Sequence, residues 1–244
     1  WFTFKMISNN GAVLSDFDGK ISGDEISVFI PYYEGGSIKA SFETKGKVFV
    51  NGIQQKSGVS SNVYNGDVEY KVVDNDGNIH TYTVKVYNSG LPIIRIDGPA
   101  DMASKVWNGE YPMTMTSANG KTLAKTTAGI KPKGGQDSHT KRDFNIKCSK
   151  KTAFGDMAKN KRWILLSNVD DASLLRTKAG LELGKELTGM SWTPSSEFVE
   201  VVMGDRHLGT YLLCEQIRVS EGRVKEDAVW EITDDIEADD EWFV

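Results

Sequence analysis

Two domains are predicted: an all-β sandwich over residues 1–88, then an α+β domain over residues 91–244 that is expected to be incomplete. Three observations carry this. Residues 1–88 alternate apolar and polar side chains with a period of two and show no helical period. Asn88-Ser-Gly90 is a natural linker, after which the pattern changes. Beyond it, one amphipathic helix stands among strands, which makes that region α+β.

Within the first region, Glu25-Ile-Ser-Val-Phe-Ile30, Asp67-Val-Glu-Tyr-Lys-Val72 and His80-Thr-Tyr-Thr-Val-Lys-Val86 each present one apolar and one polar face. Asp74-Asn-Asp-Gly77-Asn lies between the last two and predicts a hairpin. Lys47-Val-Phe-Val50, Asn51-Gly52 and Ile53 predict another. Short strands separated by turn residues at this spacing argue for a sandwich. Asp16, Asp18 and Asp24 suggest either calcium or turn chemistry, and Asp beside Gly and Ser favours the turn.

The second region opens on Leu91-Pro-Ile-Ile-Arg-Ile96. Strands are expected near Pro112–Thr116, Asp143–Lys147, Arg162–Leu166, Glu197–Val202 and His207–Cys214, the last two joined by the turn Met203-Gly-Asp-Arg206. The helix is expected from Asp171 to Leu187, capped by Asp170 or Asp171 and ended by Gly189. Its stripe of Leu175, Ala179, Leu183 and Leu187 is expected to pack on the sheet carrying Trp163 and Leu212.

Composition narrows the function classes. At 39% hydrophobic and 26% charged residues, a packed core is available and wholesale disorder is excluded. No apolar run is long enough to span a bilayer as a helix. The two cysteines, Cys148 and Cys214, and the three histidines form neither a CxxC pair nor an HExxH helix, which argues against zinc. Both cysteines sit in apolar strand-like segments, so two buried free thiols are favoured over a disulfide. The net charge of −5 conceals an asymmetry. Ten Lys/Arg against three acids fall between Lys131 and Arg162, and ten acids against two bases between Ser220 and Val244. Such a basic segment either gathers phosphates or acidic partners or is a solvated face. The acidic whole and the lack of aromatics alternating with the bases argue against nucleic acid.

Three ordered blocks carry a family resemblance: Lys159-Asn-Lys-Arg-Trp163-Ile-Leu-Leu-Ser-Asn168, Leu174-Leu-Arg176-Thr-Lys178, and Leu208-Gly-Thr-Tyr-Leu-Leu-Cys-Glu215-Gln216-Ile217. Residues 91 to about 232 resemble the CotH (spore coat protein H) kinase domains in the order and spacing of these blocks. The first domain resembles the short immunoglobulin-like β-modules that precede such domains in Bacteroidota surface proteins. The resemblance implies a kinase-like fold for the second domain and an atypical protein kinase that transfers phosphate from ATP, with Mg²⁺, to Ser. It also implies an extracellular or outer-surface location after removal of a signal or lipoprotein peptide.

The candidate nucleotide residues follow from matching the family's blocks and from the chemistry of phosphate. Lys131, Lys133, Gly134, Ser138 and Lys141 occupy the place of the family's basic, glycine-rich loop, where backbone N–H groups and cations can meet phosphates. Gly134-Gly135 is equally a hairpin turn. Lys147 ends the following strand, and Glu215 or Glu182 is expected to hold it as an ion pair. Glu215 and Arg176 can alternatively pair with each other as a link between helix and sheet. Two departures from the family stand out. Its G-R-G-N-S loop is replaced by Lys133-Gly-Gly-Gln-Asp-Ser138, and its downstream acidic W-D-F-D-like block, thought to hold Mg²⁺ and the catalytic aspartate, is absent. Asp234 and Asp235 match no catalytic motif, so this chain alone is expected to be inactive. The alternative function is a non-catalytic cell-envelope scaffold or adhesion protein with a protein or glycan partner.

Overall fold

In a computed structural model of the chain, the described residues are 1–4, 8–9, 12–13, 17–30, 37–102, 105–118, 120–133 and 141–225. The first strands are β1 (Phe2–Phe4), β2 (Ser8–Asn9), β3 (Ala12–Val13), β4 (Phe17–Asp18), β5 (Lys20–Ser22) and β6 (Glu25–Phe29). They are followed by β7 (Ser37–Phe42), β8 (Lys47–Val50), β9 (Ile53–Gln55), β10 (Ser61–Val63), β11 (Val68–Val73) and β12 (Ile79–Tyr87). Then come β13 (Ile93–Ile96), β14 (Asn108–Thr116), β15 (Thr122–Pro132), β16 (Phe144–Thr152) and β17 (Asn160–Leu166). Helix α1 (Arg176–Glu186), β18 (Ser196–Met203) and β19 (Arg206–Glu215) complete the described elements.

Contacts divide the chain into two compact units. One comprises Trp1–Ala100, Thr116–Thr122 and Glu200–Gly209; the other comprises Asp101–Met115, Leu123–Val199 and Thr210–Val244. The first unit holds a sheet ordered β10-β7-β1-β4 and another ordered β5-β6-β12-β11-β8-β9. Alternation explains both: in β6 and β7 the residues at every second position are buried. The expected hairpins form. β11 pairs antiparallel with β12 around the turn at Asp74, whose carboxylate accepts the N–H groups of Asp76 and Asn78, both at 2.9 Å. β8 pairs with β9 across Asn51-Gly52, both at positive φ. The core of this unit gathers Phe2, Phe4, Val28, Ala40, Val84 and their neighbours, and it also takes in Ile93 and Val202 from beyond the Ser-Gly linker.

The expectation of an α+β kinase-like second domain is overturned. Among the described residues the regular structure is almost entirely strand, with one helix. Seven strands run in the order β17-β16-β15-β14-β13-β18-β19, and a β17–β19 pairing closes them into a barrel. The long β14, β15 and β16 account for the error. Each is nine to eleven residues long, and burial of inward side chains such as Met113, Met115, Ala128, Ile130, Ile146 and Cys148 in a closed wall takes the place of a helical layer. Ile130, Ile146, Trp163 and Glu215 are cross-strand partners in one row on the inward face, all buried.

The helix is shorter than expected, and its packing is reversed. It starts at Arg176 with Leu175 as N-cap, and Asp171 accepts the Arg176 N–H at 2.8 Å from outside the helix. Leu175, Leu183 and Leu187 are 56%, 63% and 51% exposed, and Ala179 is exposed as well. The predicted stripe therefore faces away from the protein. Gly184 is the one buried residue of α1, because its bare backbone fits against Thr193: an added Cβ would stand 3.0 Å from Thr193 Cγ2.

Candidate functional site

Strand register builds the candidate site. Lys147 on β16 pairs with Gly129 on β15 and with Arg162 on β17, while Asn145 pairs with Lys131 and Ile164. Cross-strand partners share a face and alternate residues return to it, so Lys131, Lys147 and Arg162 all project from the outward side of the barrel wall. Trp107, just before β14, lies over this row: its Cε3 is 3.6 Å from the point where a Cβ on Gly129 would project. Lys131 Nζ is 5.8 Å and the Arg162 guanidinium 5.0 Å from the indole centroid. Arg162 loses its proton more readily than an ordinary arginine, first through partial burial and then through repulsion by Arg218. Among the described residues, Lys131, Lys147, Arg162 and Arg218 take part in no ion pair with a carboxylate.

A pocket of about 360 Å³ opens on the same outward face, since Leu166, which alternates with Ile164, is part of its wall. Its polar lining is Asp143, Ser167, Asn168, Asp170, Asp171, Arg176 and Thr177. Asp143 is buried where β16 begins and accepts both the Ser167 N–H at 2.7 Å and the Ser167 hydroxyl at 2.8 Å. Asn168, at φ 47°, turns the chain away from β17; its side-chain amide donates to the Leu174 carbonyl at 3.2 Å and accepts the Thr177 hydroxyl at 3.1 Å. The Arg176 N–H, then the Ser173 hydroxyl, holds the Asp171 carboxyl below its ordinary value. The Arg176 side chain is 82% exposed, with Nε 3.7 Å from Asp171. The pocket thus combines carboxylate and amide oxygens with an exposed guanidinium.

The expected site residues divide among three places. Lys131 and Lys147 lie on the outward basic face and Arg176 at the aspartate pocket. The Lys133 N–H donates to the Asp143 carbonyl at 3.0 Å, next to that pocket. Lys141 caps buried Tyr211, 4.4 Å from its ring centroid, and donates to the Thr210 carbonyl. Gly134 and Ser138 lie outside the described residues, as do Asp16, Asp234 and Asp235.

Glu215 does not hold Lys147. It projects inward beside Trp163, whereas Lys147 projects outward, so the two occupy opposite sides of the wall. Its partners are the Ser195 N–H at 2.9 Å and Arg223, whose Nε stands 3.9 Å from the carboxylate. Glu182 is held instead by Lys178 and Lys185, at 2.7 and 3.0 Å. The Arg176–Glu215 link does not form either, since Arg176 stands beside Asp171. Cys148 and Cys214 are free and buried on opposite faces of the wall, as their partners Ala128 and Ile164 show. Sequence reasoning missed Trp107, Arg162 and the pocket aspartates Asp143 and Asp170. Arg162 was findable as the second basic residue of a strand adjoining Lys147; Trp107 carried no local signal.

No curated protein matches the chain. Its 130–231 segment, which contains Lys131, Lys147, Arg162 and the whole aspartate pocket but not Trp107, matches the family model described as CotH kinase protein. The family resemblance drawn from the three ordered blocks is supported over this segment: residues 130–231 are similar to the CotH kinase protein family.

Proposed function

We propose that the outward face of the barrel binds ATP with Mg²⁺ as part of a CotH-type phosphotransferase acting on Ser. The observation that supports this most is the placing of three cations without carboxylate partners, Lys131, Lys147 and Arg162, on the face that also opens into the aspartate pocket. Phosphoryl transfer is mostly a matter of positioning and charge neutralisation, which requires cations along a polyphosphate and carboxylates for its metal. Among the described residues no three His, Cys, Asp or Glu side chains converge as a preformed metal cage. Mg²⁺ is commonly held, together with substrate phosphates, by one or two carboxylates, which a pocket lined by aspartates can supply. Asp143, Asp170 and Asp171 line the pocket, and bound Mg²⁺ would neutralise charge on the transferring phosphoryl group. Arg176, loosely tethered to Asp171, reaches the terminal phosphate. No helix among the described residues is long and apolar enough to cross a membrane; the outer-surface location belongs to the same proposal.

Calorimetric titration of ATP with Mg²⁺ into the full chain tests the reading, beside transfer of labelled phosphate to Ser-containing peptides. Binding that weakens about tenfold in Arg176→Ala is expected from loss of one charge-assisted contact. Absence of ATP binding would put the non-catalytic envelope scaffold ahead.

A further inference from the structure

We infer that Trp107 is a stacking platform for the nucleotide base, so that the outward face selects a nucleoside triphosphate over bare polyphosphate and a purine over a pyrimidine. This rests on the phosphate-binding reading above and adds to it a recognition residue that lies outside the family-matched segment 130–231.

The placement of the indole supports this. Trp107 is 41% exposed, and among the described residues no other aromatic ring packs on it, so it is not spent as core. Its neighbours are the bare surface at Gly129 and the two cations Lys131 and Arg162. An exposed indole within 6 Å of two cations matches the two halves of a nucleotide, a flat π-surface for the base and positive charge for the phosphates. Lys131 and Arg162 are long enough to leave the ring for a phosphate, and their departure uncovers the π-face for the base. Lys147, between Gly129 and Arg162 in the same cross-strand row, then faces the phosphates from below.

The test compares ATP, UTP and inorganic tripolyphosphate by calorimetry on the full chain, its Trp107→Ala and Trp107→Phe variants, and Lys147→Ala. Circular dichroism checks that each is folded. ATP is expected to bind the wild type about tenfold tighter than tripolyphosphate, with UTP between them, since base–aromatic stacking contributes about that much. Trp107→Ala should bring ATP down to the level of tripolyphosphate and leave tripolyphosphate within about twofold, and Trp107→Phe should restore part of the preference. Equal binding of ATP and tripolyphosphate by the wild type, or an equal loss of both in Trp107→Ala, overturns the platform while leaving the phosphate face standing. Failure of both ligands to bind overturns the platform together with the phosphate reading. Loss of tripolyphosphate in Lys147→Ala marks the phosphate face independently of the base.

Discussion

Arg223 Nε stands 3.9 Å from the Glu215 carboxylate, with the Arg223 side chain fully buried and its guanidinium 5.0 Å over the ring of Trp163. Nη1 donates to the Gln216 carbonyl at 2.6 Å, while Nε and Nη2 have no hydrogen-bond partner among the described residues. Glu215 is therefore the counter-charge that makes this buried cation tolerable. Glu215→Gln should destabilise the protein by about 3–5 kcal/mol, because a guanidinium cannot shed its charge when its partner is lost. Arg223→Met should cost less: it keeps an unbranched side chain on Trp163 and leaves Glu215 bonded to the Ser195 N–H. Urea unfolding of the two variants measures the asymmetry, and equal losses would rule it out.

The solvent-facing leucines of α1 predict unusual tolerance. Leu183→Ser, at a position 63% exposed, should change stability by less than about 0.5 kcal/mol. Gly184→Val should cost about 1–3 kcal/mol, because its side chain would press on Thr193. Thermal unfolding checks both, and a large loss in Leu183→Ser would return that stripe to the core.

How much could be read from the sequence follows from how local each signal was. The β11–β12 and β8–β9 hairpins were legible because period-2 alternation and turn residues lie in one short window. Barrel closure was not, because it depends on β17 meeting β19, whose paired residues Trp163 and Glu215 lie far apart in the chain. The Leu175–Leu187 stripe misled for a related reason: helical periodicity shows which residues share a side, not whether that side is covered. At the site, Lys131 and Lys147 could be named from charge and family blocks. Glu215 was assigned the wrong partner because its strand register, and hence its inward direction, cannot be read from the Tyr211–Glu215 run, which is buried throughout.

The two thiols should be silent in the native state. Burial pushes the Cys148 thiol up to about 11 and the Cys214 thiol to about 12, from an ordinary value of 9.0. A thiol-reactive chromogenic disulfide at pH 8 should therefore label neither cysteine until the chain is unfolded, and then label both. The pH dependence follows the same shift. Between about 9 and 11 the unfolded thiols have lost their protons while the folded ones keep them, so their contribution to stability is present below 9 and falls as pH rises. Rapid labelling of the folded chain would contradict the burial of both.

The final prediction separates a placed charge from general electrostatics. Lys147 and Lys159 are both exposed lysines within the CotH-matching segment, so replacing either by alanine removes one positive charge and disturbs little packing. Lys147 projects from the row shared with Gly129 and Arg162, beside Lys131 and Trp107, whereas Lys159 precedes β17 in the turn after Phe154. A direct contact to a charged phosphate contributes about 1.5–3 kcal/mol, while an exposed charge more than about 10 Å away is largely screened at 0.1 M salt. Lys147→Ala should thus weaken ATP binding by about tenfold or more, and Lys159→Ala by less than about twofold, in calorimetric titrations at 0.1 M salt. Lowering the salt should narrow the gap by enlarging the Lys159 effect, since screening is what silences a charge that makes no direct contact. Equal losses in the two variants at 0.1 M salt would mean that the basic segment attracts ATP only as a diffuse field, and that Lys131, Lys147 and Arg162 form no site.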